Sequence, residues 1–206
     1  MARELIRDGY TSKTTWKSIM KGNILIIPGY KDSPKGHWQT WIEKQYPNAE
    51  RLKTIDYHQP VLFNWSAHIS EYLAKQAHPV TIVAHSFSCL AAVIAIKQHR
   101  PLVNAALLVA PASPIRFTKD GHTKKFPTSP TISSALPDEP LGITGLIVAS
   151  QNDPWMDYED ACELSLKWGM PFHNVGDAGH INIESGHGPY PKVKMLLDSL
   201  IYITQT

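Results

Sequence analysis

The stretch Val83-Ala84-His85-Ser86-Phe87-Ser88-Cys89 decides how the chain is read. Before it lies VTIVAHS, a β-branched apolar run with the mark of a buried strand. After it lies FSCLAAVIAIKQH, a helical pattern stopped by Pro101. Ser86 therefore sits where a strand turns abruptly into a helix. That is the setting of the nucleophile elbow G-x-S-x-G, in which the serine backbone is strained and the flanking positions must be small for helix and strand to pack. Ala84 and Ser88 stand in the glycine places. Both are small, so the motif is weakened and not forbidden. Taken alone, Ser86 reads first as an ordinary helix N-cap.

Working outward, the same alternation recurs on both sides. Asn23 to Gly29 reads as a strand and His37 to Tyr46 as a helix with Trp38, Trp41 and Ile42 at i, i+3, i+4 spacing. A weaker strand near Ala49 to Ile55 precedes NWSAHISEYLAKQ, a helix predicted to start at Asn64 as its N-cap. Ala105 to Pro111, Gly145 to Gln151 and Pro171 to Gly176 give the fourth, fifth and sixth strands. Helices are expected around Tyr158 to Trp168 and Pro191 to Ile203. Strands that are apolar throughout, separated by helices, imply a mainly parallel sheet covered on both faces, a three-layer α/β domain of six strands. The expected order is 2-1-3-4-5-6, with its switch point between strands one and three.

The chain has 206 residues, 43% of them hydrophobic and 18% charged, enough for one domain, expected over 21–206, with a well-buried core. A net charge of +2 without a long Lys/Arg run leaves no electrostatic footprint for nucleic acid or an anionic membrane. Lys119, Lys124 and Lys125 read as a solvated loop. The two cysteines, Cys89 and Cys162, form no short-spaced pair and read as reduced core thiols. No apolar run is long enough to span a membrane, and residues 1–20, an N-terminal extension, contain no apolar signal core, so a cytoplasmic protein is expected. Residues 112–141, rich in Pro, Ser and Thr, interrupt the rhythm and read as a small, mostly irregular cap, a minimal lid.

Ligands in open α/β sheets bind at the carboxyl ends of the strands, so the residues following each strand are the ones to inspect. They are Pro28-Gly29-Tyr30, His85-Ser86-Phe87, Asn152-Asp153-Pro154 and Asp177-Ala178-Gly179-His180. These loops supply a hydroxyl, a carboxylate and an imidazole in the chain order of α/β-hydrolases. A neutral hydroxyl needs a base to attack, and His180 is the candidate. An acid on the other ring nitrogen fixes the tautomer, and Asp153 is preferred over Asp177 because the fifth-strand loop is its place in that topology. The backbone N–H groups of Phe87 and Tyr30 are the expected oxyanion donors. Tyr30, Phe87 and Trp155 are candidate apolar walls of an acyl pocket, with His187 at its rim.

The remaining candidates read more plainly. His85 reads as packing or loop support, Cys89 as core, and Trp38 and Trp41 as core anchors. The ten histidines show no tight ligand spacing and no strand is followed by G-x-G-x-x-G, so no metal and no dinucleotide cofactor is expected.

The pieces IIPGYKDSPKGHWQTWIEKQYP, DYHQPVLFNW, VAHSFSCLA, AALLVAPAS, LIVASQNDPW and VGDAGHINIESGHGPYP, in this order, resemble the small serine hydrolases related to YdeN and to the retinoblastoma-binding serine hydrolase. The likeness runs over about residues 23–200. It implies a compact α/β-hydrolase in which Ser86, Asp153 and His180 fall on the triad, and a carboxylesterase-like activity on small esters, thioesters or amides. Members usually carry H-S-L-G-C where this chain has His85 to Cys89. Neither cysteine lies in an L-x-C-x-E motif, so the retinoblastoma partner is not carried over. The rival expectation is a binding or scaffold protein that keeps the fold with little turnover.

Overall fold

The computed structural model describes residues 22–123 and 130–204. The extension 1–20 and the pair Lys124 and Lys125 lie outside the described residues. Six parallel strands form one sheet: β1 (Ile24–Ile27), β2 (Ala49–Arg51), β3 (Val80–His85), β4 (Val103–Val109), β7 (Thr144–Ala149) and β8 (Phe172–Asn174). Their order is β2-β1-β3-β4-β7-β8, the expected doubly wound arrangement. β5 (Phe117–Thr118) and β6 (Gly121–His122) make a small antiparallel hairpin inside the cap.

The central strands β1, β3 and β4 are almost wholly buried because both faces are covered, whereas the edge strands β2 (Ala-Glu-Arg) and β8 (Phe-His-Asn) are polar and partly exposed. The expectation that every strand is apolar throughout therefore holds only for the centre of the sheet. Side chains alternate across a strand. Ile24 and Ile26 of β1 enter one core layer with Val83 of β3, while Leu25 and Ile27 enter the other with Ile82 and Ala84. The first layer is closed by α1 (Trp38–Glu43) and α5 (Pro191–Ile203), which contribute Trp38, Ile42, Val193 and Leu197. The second is closed by α2 (Leu62–Ala74) and α3 (Phe87–Gln98), with Trp168 of α4 (Tyr158–Trp168). Every residue of α3 from Phe87 to Ile96 is buried, so this helix is apolar all round, as a helix at the centre of a layer must be. Among the described residues no helix is long and apolar enough to cross a membrane.

The expected start of α2 needs correction. The helix begins at Leu62 with Val61 at its N-cap and no side-chain cap, and Asn64 lies exposed within the first turn. The reason is a matter of magnitude. An N-cap bond contributes about 1 kcal/mol, whereas burying a leucine side chain contributes about 1.5–3 kcal/mol. Leu62 is 1% exposed and extends the Trp65, Ile69, Leu73 stripe one turn upstream.

Candidate active site

Ser86 occupies the N-cap position of α3 but does not cap it. Its backbone has φ 59° and ψ −127°, a left-handed φ that non-glycine residues adopt only when their surroundings enforce it. Ser86 N–H donates to Val109 O at 3.0 Å, and Ser86 O accepts Cys89 N–H at 3.0 Å, so the turn is tied to β4 and to α3. The hydroxyl lies 2.8 Å from His180 Nε2. Gly29, at the end of β1, explains how close the elements come: a Cβ there would sit 2.8 Å from Ser86 Cβ and 3.0 Å from His85 O.

Ser88 is fully buried where the motif has glycine. Its hydroxyl accepts His85 N–H at 3.0 Å and donates to Ile27 O at 2.7 Å, so the extra atoms are satisfied by the two strand ends that flank the elbow. Ala84 is likewise buried, paired in register with Ile27. The helix closes against the sheet with both substitutions in place.

His180 follows β8 on a loop that needs its glycine. Gly179 has φ 56°, and a Cβ there would meet Ser185 Cβ at 2.6 Å. Two side chains beyond β7 hold this loop: Ser150 Oγ accepts Ala178 N–H at 2.9 Å and Asn152 Oδ1 accepts Gly179 N–H at 2.7 Å. Both Asp153 oxygens lie 2.9 Å from His180 Nδ1, and Asp153 Oδ1 also accepts Trp155 N–H at 2.8 Å. The Asp153 side chain is 3% exposed, so little water competes for the ring. Asp177 is exposed and makes no bond to His180. With Nδ1–H donating to Asp153, His180 Nε2 is left to accept the Ser86 hydroxyl proton.

The three residues His37-Trp38-Gln39 support the site from α1. Trp38 Nε1–H donates to Ile181 O at 2.8 Å, next to His180, at a residue with φ 47°. Gln39 Nε2 donates to Ile27 O at 3.0 Å and Val83 O at 3.2 Å, bridging β1 and β3 near their carboxyl ends. His37 caps α1 by accepting Gln39 N–H at Nδ1, 3.1 Å away. His85 Nε2–H donates to His180 O at 3.0 Å, and its ring packs on those of His37, Trp38 and His180. His85 thus acts as the loop support the sequence suggested. Trp38 is both a core anchor and a tie to the loop that carries His180.

Burial, then the nearby Arg51 charge and His180, lowers His37 to about 4, against an opposing pull from Asp32. Burial, then the neighbouring His180 and His37, holds His85 well below 6.5. Unfolded, both imidazoles take up protons near 6.5. Between about 6.5 and 4 the unfolded chain therefore binds more protons than the native one, so the stability these groups confer is complete above that window and is lost as pH falls. Thermal melts are expected to show a Tm that drops across this window, with a smaller drop in His37→Asn. A Tm flat in both proteins would contradict it.

A cavity of about 360 Å³ opens over Ser86 and His180, within the range of small-ligand sites. One wall is aromatic: Tyr30, Phe117, His122 and Trp155. Adjacent rings along it stand 5.4 to 6.1 Å apart between centroids. Arg116 lies 5.3 Å over Trp155 and fixes it with a bond to Pro154 O at 2.6 Å. Lys31, Asp32, Pro34, Asn182, Ile183 and Glu184 also line the cavity, a mixed polar and apolar set.

Tyr30 and Trp155 are among the residues lining the cavity. The Phe87 side chain is not: it is fully buried behind the wall, against Trp65 and Phe117, because the first residue of a helix covered on all sides has no open face. Phe117 takes its place. His187 is not among the cavity residues; it lies beside Tyr190, with Nδ1 3.3 Å from Ser185 Oγ. The sequence reading missed Phe117 and His122, although Asp120-Gly121 between them is a hairpin signal. Among the described residues, neither Phe87 N–H nor Tyr30 N–H donates to a protein acceptor.

Cys89 is buried and free, its thiol pushed up by desolvation, and Cys162 is free and half-buried. Neither lines the cavity. Among the described residues no cluster of three His, Cys, Asp or Glu side chains is arranged to hold a metal.

The profile of the serine hydrolase family matches residues 24–199. The chain is 25% identical over 191 residues to Bacillus subtilis (strain 168) YdeN, which is named as a hydrolase; the match takes in 87% of this chain and 96% of that one. A solved YdeN-like hydrolase from Pectobacterium atrosepticum superposes with a TM-score of 0.80 at 30% identity, over 93% of this chain and 95% of that one. Est1E from Butyrivibrio proteoclasticus, solved with ferulic acid bound, superposes with a TM-score of 0.62 at 12% identity, over 89% and 88%, a likeness of fold. The six-stranded sheet with helices on both faces is the α/β-hydrolase architecture.

Proposed function

The chain belongs to the serine hydrolase family, and from that premise we propose that it cleaves small esters, thioesters or amides through an acyl-enzyme formed on Ser86, with carboxylesterase-like activity. The observation that carries this reading is the continuous line from Asp153 through His180 to a serine hydroxyl that spends no bond on capping its own helix.

In the reaction, Ser86 Oγ attacks the carbonyl carbon while its proton passes to His180 Nε2. The carbonyl π electrons move onto oxygen, and the N–H groups of Phe87 and Tyr30 receive that charge. The tetrahedral adduct collapses, the leaving group takes the proton from His180, and the acyl group stays on Ser86. A water molecule then repeats the sequence with His180 as base and frees the acid. Asp153 stabilises the imidazolium in both halves. The aromatic wall receives the apolar part of the substrate. The cycle uses only protein groups and water, and the partner is a small-molecule acyl compound.

Pre-steady-state hydrolysis of p-nitrophenyl butyrate tests this. A burst of p-nitrophenol close to one equivalent per protein is expected, followed by slower turnover as the acyl-enzyme hydrolyses. Neither burst nor turnover across an acyl series would favour the alternative, a hydrolase-fold protein that binds without reacting.

A further inference from the structure

The chain just after Tyr30 takes an unusual shape. Lys31 and Asp32, neither of them glycine, both have left-handed φ, 72° and 66°. Asp32 N–H donates to Gly29 O at 3.0 Å, closing a turn in which Lys31 holds the place that favours glycine. Two successive residues of this kind persist only when something outside the turn over-determines them. Lys31 N–H donates to Tyr57 O at 2.8 Å and supplies one restraint. Ser33 N–H donates to Asp32 Oδ1 at 2.6 Å and Thr40 Oγ1 donates to Ser33 O at 2.7 Å, and a further set of restraints converges on one guanidinium.

Arg51, the last residue of β2, is 14% exposed at its side chain and uses both faces of its fork. Nη1 donates to Asp32 Oδ1 and to Ser33 O, each at 2.8 Å. Nη2 donates to Thr40 Oγ1 at 2.7 Å and lies 3.1 Å from Glu43 Oε2, which Nε reaches at 3.2 Å. The loop is thereby clamped to α1. From Ser33 the line continues to the elbow. Ser33 Oγ donates to Gln39 Oε1 at 2.6 Å; Gln39 Nε2 and Ser88 Oγ both donate to Ile27 O; and Ser88 Oγ accepts His85 N–H.

We propose that Arg51 is a positioning residue that holds the Tyr30 N–H in register with the Ser86 elbow. The inference rests on the reading of Ser86 as nucleophile and Tyr30 N–H as oxyanion donor. A planar fork with five donors can meet the loop carboxylate, the loop carbonyl, Thr40 and Glu43 together; a lysine, with one nitrogen, cannot. Arg51→Lys keeps the charge between Asp32 and Glu43 and removes the geometry, which isolates the claim. A merely structural Arg51 would lower the number of working molecules and leave each survivor normal. A positioning Arg51 lowers the rate of every molecule.

The test is kcat per active site, with sites counted by a stoichiometric fluorophosphonate, in wild type, Arg51→Lys and Asp32→Asn. For Arg51→Lys we expect kcat per titrated site to fall about tenfold with KM within about twofold, since the hole is used in the transition state. Inhibition by butylboronic acid, whose tetrahedral adduct places an oxygen in the hole, should weaken by a similar factor. Asp32→Asn should move both quantities the same way and less. Arg51→Lys with kcat per site and boronate inhibition both within twofold of wild type would overturn the proposal and leave the hydrolase reading standing. A wild type that never turns over would overturn the hydrolase reading, and this inference with it.

Discussion

Replacing Asp153 with asparagine is expected to lower kcat/KM by about four orders of magnitude, while Asp177→Asn stays within about twofold of wild type. The two carboxylates differ in what they touch. Asp153 accepts from His180 Nδ1 through both oxygens, almost wholly out of water. An asparagine there can turn its NH₂ toward the ring, which then presents Nδ1 as acceptor and puts its proton on Nε2, facing Ser86. The hydroxyl would meet a donor where it needs a base. Asp177, only three residues before His180 in sequence, is exposed to solvent. Steady-state kinetics on p-nitrophenyl butyrate decide the matter, and the reverse ranking would move the acid to Asp177.

Much of this arrangement was legible because burial leaves a strong mark on sequence. Runs such as ILII and VTIVA are almost wholly apolar, as a sheet covered on both faces requires, and helices between them carry apolar stripes. The strand ends then located the serine, the carboxylate and the imidazole loop by loop, and the structure brings those three side chains within hydrogen-bond reach.

What escaped the sequence reading depends on partners far along the chain. The bond that ties Ser88 to the first strand goes to Ile27 O, 61 residues away, and no local pattern announces it. Phe87 lost its place on the wall because a neighbour from the cap, Phe117, stands in front of it. His37 and Arg51 look like ordinary polar residues beside a helix and a strand, yet one packs on His85 and the other clamps the turn after Tyr30. Asn64 shows the converse, a strong local preference overridden by burial of Leu62.

The second large effect belongs to Ser86 itself. Without its hydroxyl no acyl-enzyme can form, and Ser86→Ala should lose at least about 10⁴-fold in kcat. The strained φ of 59° belongs to the backbone and is expected to survive the change, with residual turnover left to the oxyanion donors and the cavity. The most direct measurement is labelling of the folded protein with a fluorophosphonate, followed by mass analysis of the modified peptide. The account predicts one label per chain, on Ser86, absent from Ser86→Ala and sharply slowed in His180→Ala. A wild-type protein that stays unlabelled, or carries the label on another residue, would contradict it.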